Sequence, residues 1–299
     1  MVKVIIILIA VIGLCVGCRN TPEKTDYYGV NLEKLKTLAH RGDTEAQYVL
    51  GSYYYTGTEV DKSYDEAIKW YRVAAEKGHL KAQYELGQMY DYGQVVDQDL
   101  QEAVKWFRLA AEQGNASAQF SLGLKYYNGE GVAQDYQEAA KWYGRSAEQG
   151  NDLAQFNLGV MYAFGEGVTK NYPEAYKWYR LAAQQGVVAA QYNLGVVYAT
   201  GRGVAQNYEE AAKWYRLAAE QDYAKAQNNL ACMYHEGDGV PQNDELAYFW
   251  ALLACARAES DIYESASENR DRYAKTLARY QIIKVQKDAQ GWMKKNGFE

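Results

Sequence analysis

The sequence predicts an all-α solenoid of six helix-turn-helix repeats, each 36 residues long, closed by a C-terminal pair of helices. Three observations carry this expectation. Tryptophan recurs as Trp70, Trp106, Trp142, Trp178, Trp214 and Trp250, at a constant interval of 36 residues. Ala-Gln recurs in the same register from Ala46-Gln47 to Ala226-Gln227, and Leu-Gly from Leu50-Gly51 to Leu194-Gly195, ending as Leu230-Ala231. Self-similarity at this period marks stacked units that bury a continuous core only against their neighbours. Composition agrees: 48% of the 299 residues are hydrophobic and only 3 are proline, which favours helices over a strand-and-turn protein.

Taken in order, the chain opens with residues 1–17, which read as a signal peptide. Lys3 is followed by a charge-free run from Val4 to Val16. That run is shorter than the roughly 20 apolar residues a membrane-spanning helix needs. Its exit, Cys15-Val16-Gly17-Cys18-Arg19, resembles a bacterial lipobox, although Cys15 stands where the lipobox usually has leucine. The resemblance implies that the Cys18 thiol takes a diacylglycerol and that its freed amine is acylated. Two or three acyl chains anchor stably where one does not. By analogy with Gram-negative sorting, Arg19 implies an outer-membrane lipoprotein facing the periplasm. An ordinary secreted protein or an uncleaved anchor is the alternative. Residues 18–30 are polar and read as a tether.

Residues 31–42 read as a capping helix, an unpaired second helix with Leu35 and Ala39 in the register of Tyr71 and Ala75. Residues 43–257 form the six repeats. In the third, Ala118, Leu122 and Tyr126 make an i,i+4 stripe that places the first helix at 117–128. Gly129-Glu130-Gly131 stops it. Asp135 precedes a second helix over 136–149, with Ala139, Trp142, Tyr143 and Ala147 on its apolar face and Gly150 as its stop signal. The small residues Gly123 and Ala139 let the two helices approach closely. Trp142 and Tyr143 then fill the seam to neighbouring units. Residues 258–299 abandon the repeat and read as closing helices over 262–277 and 280–295. They cover the apolar stretch Phe249–Ala258, with Trp292 as the anchor.

The full pattern is A-Q-x-x-L-G-x-x-Y-x-x-G-x-G-V-x-x-D-Y-x-E-A-x-x-W-Y-R-x-A-A-E-Q-G. It resembles the Sel-1-like repeat, a cousin of the tetratricopeptide repeat, over residues 43–257. The resemblance implies an α/α right-handed superhelix and a role in protein–protein interaction rather than a reaction.

Motifs that carry chemistry are scarce. No glycine is followed by lysine, so there is no phosphate loop. There is no Gly-x-Ser-x-Gly elbow, no Ser-x-x-Lys pair and no His-Glu-x-x-His. His40, His79 and His235 lie far apart in the array, so no metal is expected, and no cofactor is. A net charge of −6 argues against nucleic acid. Cysteine-rich relatives of this repeat class are associated with β-lactam binding or hydrolysis, and carry a disulfide in every unit. Here Cys255 holds the second-helix position of that bridge, but Gln227 stands at its partner position. Cys232 lies five residues further on, about 7.5 Å along the helix axis, whereas bridged Cα atoms lie within about 7 Å. Two unbridged thiols are the simpler reading, and their oxidation state stays open.

In such solenoids the first helices line the concave face. Alignment with the tetratricopeptide pattern places three rows of exposed first-helix residues there. The first holds Tyr48, Tyr84, Phe120 and Phe156, two residues before the Leu-Gly leucine, where either packing or binding explains an aromatic. The second holds Tyr55, Asp91 and Tyr127, and the third Tyr92 and Phe164. These last two rows vary between units, which favours binding over packing. Aromatics in a groove are good anchors for an extended polypeptide. Lys69, Lys105, Lys141, Lys177 and Lys213 each follow a glutamate by three residues and read as a solvated ladder on the second helices.

The functional reading is a non-catalytic scaffold of the bacterial cell envelope, anchored by lipid on Cys18. It holds a protein or peptide partner on its concave face. The alternatives are a β-lactam-interacting enzyme like the cysteine-rich relatives, or a secreted factor that binds host proteins.

Overall fold

The computed structural model describes residues 27, 30–93, 95–257 and 260–297. The leader, Cys18 and most of the expected tether lie outside the described residues. Fifteen helices and no strand occur among those described. First comes α1 (Leu32–His40). Six pairs follow: α2 (Thr44–Thr56) with α3 (Tyr64–Glu76), α4 (Leu80–Tyr92) with α5 (Leu100–Glu112), α6 (Ala116–Asn128) with α7 (Tyr136–Glu148), α8 (Asp152–Phe164) with α9 (Tyr172–Gln184), α10 (Val188–Thr200) with α11 (Tyr208–Ala219), and α12 (Ala224–Glu236) with α13 (Asp244–Arg257). Then α14 (Ser260–Ala274) and α15 (Arg279–Lys295) close the chain. The expected all-α repeat solenoid is the fold observed.

The chain divides into two compact units, residues 1–70 and 71–299. In the first, α1 packs on α2 through Leu35, Ala39, Ala46, Val49, Leu50 and Tyr53. Gln47 donates its side-chain N–H to the Ala39 carbonyl at 2.8 Å.

In the second unit several helix ends have a local cause. The side chains of His79, Asn115 and Asn151 accept the backbone N–H three residues on, satisfying one orphan donor of α4, α6 and α8. Asp99 and Asp135 each accept two such N–H groups at the start of α5 and α7. At the other end of α6, Gly129 sits in the left-handed region (φ 75°), where a side chain is disfavoured. Gly131 has a second constraint, since a Cβ there would lie 2.1 Å from the Leu100 carbonyl oxygen. The loop between α6 and α7 therefore lies directly on the start of the previous repeat's second helix.

In the second unit the glycine of each Leu-Gly pair is required by packing. A Cβ on Gly123 would lie 2.7 Å from the Tyr143 ring, and Tyr143 is fully buried. Gly159 and Gly195 meet Tyr179 and Tyr215 in the same way. Trp106, Trp142, Trp178 and Trp250 are buried in the seams. The glutamate–lysine ladder is present on the exposed second-helix face, from Glu66–Lys69 at 3.1 Å to Glu210–Lys213 at 2.6 Å.

The structure shifts a few helix ends. Gln149 caps α7, and Gly150, at φ 91°, follows it and donates to the Ala147 carbonyl. The closing helices start at residues 260 and 279 and end at 274 and 295. Trp292 of α15 meets Trp250 edge-on, with ring centroids 6.4 Å apart. Cys232 and Cys255 are free, half-buried thiols.

Candidate partner-binding surface

The sequence-predicted contact residues lie on the first helices and are held in three different ways. Tyr48, Tyr84, Phe120 and Phe156 are half-buried. Tyr84, Phe120 and Phe156 lie against Phe107, Tyr143 and Tyr179 of their own repeat's second helix, with centroids 5.9, 5.8 and 6.1 Å apart. Those partner rings sit where the Leu-Gly glycines leave room. Burial, aided by Glu85, pushes the Tyr84 phenol up to about 12. This row spends its aromatic surface on holding two helices together. Tyr48 joins the apolar cluster of the first unit.

Asp91 and Tyr127, at equivalent places on α4 and α6, are engaged by a neighbouring repeat. Asp91 pairs with Lys125 of α6. Lys125 is only 4% exposed and also donates to Glu130 at 2.8 Å. Burial pulls its ammonium down, but the hydrogen bonds and charges of Asp91 and Glu130 outweigh this and hold it above the usual lysine value. Tyr127 donates to Glu166 at 2.7 Å, and its ring meets Tyr136 at 5.0 Å. Burial and that carboxylate raise the phenol. These two side chains therefore join repeats, and any contact they make with a partner is made by a tethered group.

Tyr92 and Phe164, the last residues of α4 and α8, are 57% and 56% exposed. Asn128 occupies the same place on α6 and donates to Glu130 at 3.1 Å. Tyr55, in the first unit, is 37% exposed and leans on Tyr64 at 5.4 Å. Large aromatics this open to water leave apolar surface unburied, so they are the best-placed anchors on this face.

Sequence reasoning missed Lys125, Glu130 and Glu166. A signal for the first existed. In the repeat register Lys125 stands where Met89, Met161, Val197 and Met233 stand, so a charge interrupts an apolar column. The histidines have local partners: His40 meets Trp70 edge-on, His79 caps α4, and His235 bonds Asp244 at 2.8 Å. Among the described residues no cluster of His, Cys, Asp or Glu is placed to hold a metal.

The Sel1 repeat family matches six consecutive segments, residues 44–79, 80–115, 116–151, 152–187, 188–223 and 224–258. The chain belongs to the Sel1-repeat family. Solved structures agree. It is similar to c5321 of uropathogenic Escherichia coli, a protective antigen with the same repeat fold, at 33% identity and a TM-score of 0.72 over 88% of this chain. It spans 64% of that protein's length. It is also similar to a Sel1 repeat protein from Oxalobacter formigenes, at 31% identity and a TM-score of 0.65, over 77% of this chain and 98% of that one. No curated protein matches it. Sel1-repeat solenoids are generally non-catalytic scaffolds that bind protein partners.

Proposed function

We propose that this Sel1-repeat protein is a non-catalytic scaffold of the bacterial cell envelope. It grips a polypeptide partner with the open ends of its first helices, above all Tyr92 and Phe164. One observation carries the reading: on α4 and α8 two large aromatics at the same repeat position are left more than half exposed, while the other aromatics of those helices are half-buried. Lipid on Cys18 holds the scaffold at the outer membrane, on the strength of the lipobox-like Cys15–Arg19 run. That the related c5321 is a protective antigen accords with display in the envelope.

The test is capture from solubilised membranes with crosslinking and mass spectrometry, comparing the wild type with two double variants. Tyr92→Ala with Phe164→Ala should reduce capture of the principal partner about tenfold or more, since interface aromatics commonly carry over 1 kcal/mol each. Lys141→Ala with Lys177→Ala, on the second helices, should leave it unchanged. Loss with the lysine pair alone would mean that binding is electrostatic and on the opposite face.

A further inference from the structure

The repeats carry an internal control that singles out one seam. In the first, second and fifth repeats the residue two after the tryptophan is arginine, and it reaches the next repeat's first helix. Arg72, Arg108 and Arg216 donate to the hydroxyls of Tyr90, Tyr126 and Tyr234, the middle pair at 2.7 Å. Each guanidinium also lies over its tyrosine ring, at 5.9, 5.6 and 5.8 Å from the centroid. In the fourth repeat Arg180 keeps the position but lies over Tyr176, whose hydroxyl meets that of Tyr198 at 3.0 Å.

The third repeat has Gly144 there. No local need explains a glycine inside α7. Unlike Gly123 it touches no ring, and a Cβ added to it would meet nothing within 4 Å. The space it leaves, with small Ala140 beside it, is an open pocket of about 350 Å³ between the third and fourth repeats. Tyr162, the counterpart of Tyr126, lines it and has no arginine opposite. Trp178 and Glu148 also line it. The chain's own nearby guanidinium is not used, because Arg145 lies over Trp142 at 4.6 Å. Lys141 reaches the rim, but its ammonium is held by Glu138 at 2.5 Å.

We infer that the pocket at Gly144 receives an arginine side chain from a polypeptide partner. That side chain would supply the guanidinium that the first, second and fifth repeats supply from within. The occupant's chemistry follows from the seam. Tyr162 offers a hydroxyl acceptor and an aromatic face, as Tyr126 does for Arg108. Glu148 adds a carboxylate, which strengthens hydrogen bonds from a cation. A guanidinium over aromatic rings gains further attraction. A lysine ammonium matches less well, being a compact charge without the planar fork. The site is separate from the first-helix ends, so its outcome is independent of the capture experiment.

Isothermal titration of the mature chain with acetyl-Gly-Arg-Gly-amide tests it, with the neutral citrulline peptide and free L-arginine as comparators. The expected result is saturable binding of the arginine peptide. Binding should be about tenfold weaker for citrulline, which keeps the shape and loses the charge. Tyr162→Phe and Glu148→Gln should each weaken it severalfold. Gly144→Arg should abolish it while leaving helical content intact, because the slot then holds an internal arginine. Equal binding of citrulline, no saturation, or undiminished binding by Gly144→Arg would overturn the inference. So would a Gly144→Arg chain that loses its helices, since the slot would then not be the one its neighbours fill. Tighter binding of free arginine than of the peptide would overturn the polypeptide source in favour of a small-molecule site.

Discussion

Gln149 donates its side-chain N–H to the side-chain oxygen of Gln119 at 2.7 Å, while Gln119 donates to the Ala111 carbonyl at 3.0 Å. One buried glutamine thus ties the end of its own repeat's second helix to the end of the previous one. The arrangement recurs as Gln113–Gln83, Gln185–Gln155 and Gln221–Gln191, at 2.7, 2.8 and 2.8 Å. It stops at Gln227, whose side-chain oxygen is buried without a partner, because Arg257 stands where the next glutamine would be.

The first prediction follows from that difference. Gln119→Leu removes two hydrogen bonds, one to the Ala111 carbonyl and one from Gln149, whereas Gln227→Leu removes one bond and one oxygen that already has no partner. A typical intramolecular hydrogen bond contributes about 0.5–1.5 kcal/mol net. Gln119→Leu should therefore destabilise by roughly 1 kcal/mol more than Gln227→Leu in urea unfolding. Equal costs would mean that the glutamines fill space and do not stitch repeats.

A second prediction concerns the ion cluster at Lys125. Removing one partner of a buried pair is costly in proportion to how deeply the charge left behind is buried. Lys125→Met installs the residue that Met89 and Met161 supply in the neighbouring repeats, and the carboxylates it leaves, Asp91 and Glu130, are more open to water than the lysine, with 15% and 42% of their side chains exposed against 5%. Asp91→Asn leaves a buried ammonium with Glu130 as its only anion. Thermal unfolding should rank Asp91→Asn as the more destabilising of the two, and the reverse order would contradict the burial and pairing described for Lys125.

The third prediction is alkaline sensitivity. The folded-state pKa of Tyr84 is raised by burial from 10.0 to about 12, and burial raises Tyr143, Tyr179 and Tyr215 as well. A raised folded-state value means that the stabilisation is complete below the unfolded value and is lost as pH rises through the folded one. Stability should hold up to about pH 10 and decline from there to about pH 12. Tyrosinate absorbance from the buried group should appear together with loss of helical circular dichroism. Full ionisation of every tyrosine with helices intact would refute it.

A fourth prediction tests one-dimensional stability. Trp142 is buried at a seam, and emptying such a site costs roughly 3–5 kcal/mol. In an array stabilised by nearest neighbours, Trp142→Ala should raise hydrogen exchange around the second to fourth repeats first. A uniform rise along the second unit would point instead to one cooperative core.

The repeat architecture was legible because the same positions recur six times, so glycines, caps and seam aromatics corroborate one another. The contact surface was less so. Variation between units marked Asp91 and Tyr127 as candidates alongside Tyr92 and Phe164, yet the engaging residues, Lys125 and Glu166, lie in the following repeat. Pairing at that sequence distance depends on how repeats stack, which residue variation alone does not report. Gly144 was visible as a departure from Arg72, Arg108, Arg180 and Arg216. That it opens a pocket depends on Tyr162, whose counterparts Tyr90, Tyr126 and Tyr234 meet Arg72, Arg108 and Arg216 only across a seam.

Hydrogen–deuterium exchange of the second unit, with and without the captured partner, tests the binding surface most directly. Protection concentrated at the C-terminal turns of α4 and α8, around Tyr92 and Phe164, is the expected result. Protection of the second-helix face around Lys141, Lys177 and Lys213, with the ends of α4 and α8 unchanged, would contradict it.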